Sequence, residues 1–168
     1  MAHTDRAHES ARIANPVQLA IGLAAILAGT LIYLVLRSPE QIYFTRFFGI
    51  HAPLFDVQSP LLRIFGQRLP AFFHVLAFAL ITASFFRNSK RTYFIVCTGW
   101  LAVNGLFELG QKYKDFAVRL VPDAFEKIPF LETTRRFFLF GTFDGFDLAA
   151  ALSGAVAAYF ILIATSKR

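Results

Sequence analysis

The sequence predicts an all-α membrane protein: four transmembrane helices in an antiparallel bundle, with short interfacial amphipathic helices in two long loops. Composition is the first reason, because 56% of the 168 residues are hydrophobic and the mean hydropathy is +0.52, above the usual range of a soluble domain. The second is the placing of charge: charged residues make up only 17% and cluster, leaving apolar runs near the ~20 residues that a bilayer-crossing helix needs. The third is the mixture of 21 Phe residues with Lys, Arg and acids between those runs, which suits segments lying in the membrane interface better than solvated linkers.

Taken in order, residues 1–15 are polar and of mixed charge and read as a loose tail; residues 16–168 form a single membrane domain. Pro16 to Leu36 carries no charge and is the first span. It is longer than the ~7–15-residue apolar core of a signal peptide and lacks a following small-x-small cleavage site, so it is expected to stay as an anchor. Ser38-Pro39-Glu40-Gln41 has the pattern of a helix start, with Ser38 as N-cap and Gln41 closing a capping box, and Ser59-Pro60 repeats the signature. Both are expected to open short interfacial helices. The second span covers about 69–86. The turn Arg87–Arg91 leads into the third, about 92–109, as a helical hairpin. A second long connection, rich in Phe and basic residues, precedes the fourth span at about 143–164.

Net charge is +6 and the pI near 9.8. No basic stripe accompanies a soluble module, so nucleic acid is excluded as a partner, and the cations read as juxtamembrane Lys and Arg. Their density near the termini and in the 87–91 turn places both termini in the cytoplasm of an inner (plasma) membrane. The lone Cys97 allows no internal disulfide.

Polar residues inside or beside the spans are the candidates for function. Trp100, Asn104, Glu108 and Gln111 follow one stripe of the third helix, and Asp144 and Asp147 share a face of the fourth. With His74 placed near the start of span two, alternation of the spans brings His74, Glu108, Gln111, Asp144 and Asp147 toward one membrane face, together with Arg37 and Arg68. A carboxylate in a span is costly and faces the bundle interior or a wet cavity with a partner; Arg37, Arg68 and His74 are the natural ones. Plainer readings stand beside these. His74 suits a packing histidine, Asn104 interhelical glue, and Asp144 and Asp147 charges favourable to a helix N-terminus. The two aspartates are weak metal candidates, and no cofactor is expected. Ala150, Gly154 and Ala158 form a small-xxx-small stripe for close packing within the monomer.

These motifs resemble the VanZ-like family of membrane proteins over about residues 69–160. His74 and Phe78 match its first element, Glu108 and Gln111 its Glu-x-x-Gln, Phe143, Asp144 and Asp147 its Phe-Asp-x-x-Asp, and Gly154 a following glycine. Ala151 and Ala158 stand where the family has Asn and a second Gly. The resemblance implies a small multi-pass envelope protein, in some members linked to teicoplanin-type antibiotic resistance. The expected function is a non-enzymatic one. The polar cluster would bind a lipid head group, a lipid-linked cell-wall precursor or a protein partner, with Arg37 and Arg68 meeting an anionic group and the acids holding them. Two other classes remain open: an intramembrane enzyme with Glu108 or His74 as the acid–base group, and an accessory subunit of a larger membrane complex.

Overall fold

The computed structural model describes residues 14–36, 60–129 and 131–166. The regular structure of those residues is all helix, with no strand among them: α1 (Pro16–Leu36), α2 (Pro60–Ser84), α3 (Lys90–Lys112), α4 (Lys114–Leu120), a 3-10 turn (Asp123–Lys127), α5 (Thr134–Phe140) and α6 (Gly145–Thr165). The tail before residue 14, the Ser38-Pro39 helix start and Arg37 lie outside the described residues.

Local chemistry sets the helix starts. Asn15 Oδ1 accepts the backbone N–H groups of Val17 and Gln18 at 3.2 and 3.4 Å, with Pro16 in the first-turn position where its missing N–H costs nothing. Ser89 Oγ caps α3 by accepting from Thr92 N at 3.1 Å, and Asp144 Oδ1 caps α6 by accepting from Phe146 N at 2.9 Å. Each cap satisfies an N–H that the helix itself leaves orphaned.

The second helix differs from the sequence reading. Ser59-Pro60 opens no separate interfacial helix; Pro60 begins α2, which runs unbroken to Ser84 with Pro70 inside it. A proline there removes one ladder hydrogen bond and crowds the preceding turn. Packing holds the helix together regardless, because α2 lies against α1, α3 and α6.

Among the described residues three helices, α1, α3 and α6, are long and apolar enough to cross a membrane, and α2 contributes the shorter apolar stretch Arg68–Ser84. The packing is that of a membrane protein. Small residues fill much of the buried core, including Ala77, Ala79, Ala83, Ala151, Ala155 and Ala158, while Leu27, Leu31, Phe94, Leu106 and Phe160 face outward. Lipid tails are as apolar as leucine, so burying large side chains gains little there, and close backbone approach does the packing instead. Gly154 shows it best: an added Cβ would strike the Phe72 carbonyl oxygen of α2. On the opposite flank of α2, a Cβ on Gly22 would lie 2.7 Å from Ile81 Cγ1, and one on Gly29 would lie 2.8 Å from Phe73 Cβ. The small-residue stripe of α6 thus serves packing within the chain, with its buried line at Ala151, Gly154, Ala155, Ala158 and Leu162.

The connection from α3 to α6 folds back as a small lobe. Ala117, Val121 and Phe138 form its own core, with Val118 and Phe125 against it. Phe138 packs against Gly110, where any Cβ would approach its ring to 2.5 Å. Arg135 ties the lobe, pairing with Asp123, bonding Glu126 at 2.7 Å and donating to the Val121 carbonyl at 3.0 Å.

Candidate functional site

Two polar assemblies occupy opposite ends of the helical body. The first gathers where α1 and α3 begin and α2 and α6 end. The Asn15 backbone N–H donates to the Ser84 carbonyl at 2.8 Å, and its side-chain amide donates to the Thr165 carbonyl at 3.3 Å. Gln18, fully buried, donates from Nε2 to the Tyr93 hydroxyl at 3.1 Å, and that hydroxyl donates to Asn88 Oδ1 at 2.8 Å. No charge takes part. Sequence reasoning missed this assembly, although one signal was available: Gln18 is an amide inside an apolar run, and such a group needs a partner.

The second assembly holds most of the sequence candidates. Glu108, one turn from the end of α3, is buried, and its Oε2 accepts the backbone N–H of Asp144 at 3.3 Å. Asp144 in turn caps α6. A carboxylate at that place joins the end of α3 to the start of α6 and meets the partial positive charge of a helix N-terminus. Gln111, also buried, packs its amide against Gly141, where an added Cβ would lie 2.7 Å from the amide carbon. Asp147 stands in the first turn of α6. Asn104, half-buried, lies one turn before Glu108.

The cations are placed differently from the expectation. Arg68 sets its guanidinium 4.0 Å over the ring of Phe146, and among the described residues neither Glu108 nor Asp144 forms an ion pair with it. Lys112 lies 5.3 Å over Phe143 and 5.9 Å over Tyr113. Two cations therefore flank the segment 143–146, each resting on an aromatic face. Lys112 was not among the sequence candidates; its place at the end of α3, directly after Gln111, was the available clue.

His74 departs from the group. With α2 beginning at Pro60, it lies about 21 Å along that helix at 1.5 Å per residue, near the middle and not near the start. It is exposed, on the side facing α1, with its ring 4.6 Å from Phe78. Phe78 stacks on Trp100 at 4.8 Å, and Trp100 Nε1 donates to Thr82 Oγ1 at 3.0 Å. The aromatic head of the α3 stripe thus touches the His74 side of α2, while its carboxylate tail serves α6.

Comparison of the chain with family models, with curated proteins and with solved structures returned no match. The chemistry has to be read from the residues themselves. Among the described residues no group of three His, Cys, Asp or Glu side chains gathers as a metal site, so Asp144 and Asp147 gain no further ligand there. Glu108 already accepts a backbone N–H, which suits a brace more than a base awaiting a substrate. The arrangement can present two positive groups on a fixed aromatic and carboxylate frame.

Proposed function

We propose that the chain is a four-span envelope membrane protein of the VanZ-like type, non-enzymatic, whose charged end captures the anionic head group of a lipid or lipid-linked precursor. One observation carries the reading: Arg68 and Lys112 rest on Phe146 and Phe143, the aromatics on either side of the α6 cap. A cation on an aromatic face keeps its N–H donors for an incoming acceptor. Glu108 and Asp144 fix the segment that carries those rings. In this reading α2 is the fourth span, supported from three sides, and both termini lie at the cytoplasmic end with Asn15 and Thr165. The α4–α5 lobe lies in the interface, where exposed Phe116, Leu120 and Phe140 reach the acyl boundary and Arg119 and Arg136 reach phosphates.

The test is binding of the purified protein, in nanodiscs of zwitterionic lipid, to vesicles or short-chain lipids carrying phosphatidylglycerol. Wild type should bind with a salt-sensitive affinity. Replacing Arg68 and Lys112 together by Gln should weaken it by roughly tenfold or more, the scale of lost charge-assisted contacts. Equal affinity for phosphatidylcholine and phosphatidylglycerol would remove the basis of the proposal.

A further inference from the structure

A groove of about 460 Å³ runs between α1 and α2, lined among others by Ile26, Thr30, Tyr33, Phe73, His74 and Phe78. Its volume falls in the range of small-molecule sites. We infer that this groove binds a neutral, planar, carbonyl-bearing lipid of the quinone type, with His74 and Thr30 donating to its ring carbonyls.

Three features select that chemistry. His74 is the one charged or chargeable group, tyrosine aside, among the described lining residues. Among the described lining residues none carries a fixed charge to meet an ionised head group, so the ligand is neutral. The polar atoms offered are an imidazole and a hydroxyl, and neither His74 nor Thr30 has a side-chain hydrogen-bond partner among the described residues. Both can donate, and in hydrocarbon an unmet donor is costly. The matching ligand therefore supplies acceptors without charge, which is what a carbonyl oxygen provides. The walls are aromatic and proline surfaces: Tyr33, Phe73 and Phe78, with Pro70 between. Flat rings favour stacked or edge contacts with a flat ligand. The His74 ring is held against Phe78 and Phe78 against Trp100, so the imidazole is oriented before any ligand arrives.

This inference rests on the membrane reading but not on the head-group reading. Trp100 is the only tryptophan in the chain and stacks on a lining residue, so it reports the site directly. The full chain in detergent is titrated with a decyl-chain benzoquinone, and Trp100 fluorescence is followed. The expected result is saturable quenching that decanol and decanoic acid do not compete away. His74→Phe, which keeps the contact with Phe78, and Thr30→Val, which keeps the shape, should each raise the apparent Kd about tenfold, the scale of one hydrogen bond made away from water. The Arg68→Gln, Lys112→Gln double variant should bind the quinone as wild type does, whatever its affinity for phosphatidylglycerol. Quenching that rises linearly and equally in wild type and both groove variants means partition into micelles only and overturns the assignment. Competition by decanol or decanoic acid as strong as that of the quinone itself would make the groove a general acyl-chain site and overturn it equally.

Discussion

The two ends of this helical body solve the same problem with different chemistry. At one end Asn15, Gln18, Ser84, Asn88, Tyr93 and Thr165 join four helices through neutral hydrogen bonds between groups far apart in sequence. At the other end Glu108 and Asp144 make one charged junction, and Arg68 and Lys112 stand on aromatic rings. Neutral bonds between buried groups fix a structure without inviting a charged ligand. Cations left on rings contribute little to stability and much to recognition. Stability and binding should therefore separate by end.

The largest expected effect sits between the ends and should spare neither. Gly154→Val drives a side chain into the Phe72 carbonyl. Overpacking of this kind costs about 1–3 kcal/mol or more, so the melting temperature in detergent should fall sharply and head-group binding with it. Next comes the neutral end. Tyr93→Phe removes the hydroxyl that accepts from Gln18 and donates to Asn88, leaving a buried amide unmet at a cost of roughly 1–3 kcal/mol. Asn15→Ala removes a cap and a cross-helix bond for about 1 kcal/mol. Both should lower thermal stability while the surviving folded protein binds phosphatidylglycerol normally; a loss of affinity in either would break the separation. Arg68→Gln should do the reverse, shifting stability by less than about 1 kcal/mol while weakening binding. The smallest effect is the most discriminating. Glu108→Gln keeps an acceptor for the Asp144 N–H and removes a charge, so it should be close to neutral. Combined with Arg68→Gln, its effect on stability should be additive within about 0.5 kcal/mol. Strong coupling would mean that Glu108 holds Arg68 after all.

Much of the helical layout was legible because apolar runs and caps are local signals. Pro16–Leu36 matched its span, and α3 and α6 extended or trimmed theirs by only a few residues. The helix start at Ser59-Pro60 was legible, but its continuity with the second span was not. Gln67 and Arg68 interrupt the apolar run and Pro70 removes a ladder hydrogen bond, and contacts with α1 and α6 hold the helix together across them. Glu108, Gln111 and Asp144 gather at one end as the stripe on α3 implied, because helix periodicity and alternating direction suffice for that. His74 was placed near the start of a span because that span was read as separate from the helix that begins at Pro60. The pairing of Arg68 with Phe146 could not be read from charge, since it depends on which ring lies within reach. The Gln18–Tyr93 bond joins residues 75 apart, and nothing local links them.

The grip of glycine on α2 has a consequence for how the chain is made. Gly22 and Gly29 hold α2 from the α1 side, and these arrive first during synthesis. Gly154, which holds the other flank, arrives last, after α3 and the whole lobe have been translated. α2, less apolar than the α1 and α6 that grip it, must therefore wait, half gripped, until the final helix follows. A nascent chain stopped after Lys112 should still be exchanging α2 between bilayer and translocon, and one stopped after Thr165 should have it locked. Translation order, and not hydropathy alone, would then decide when this protein becomes resident in its membrane.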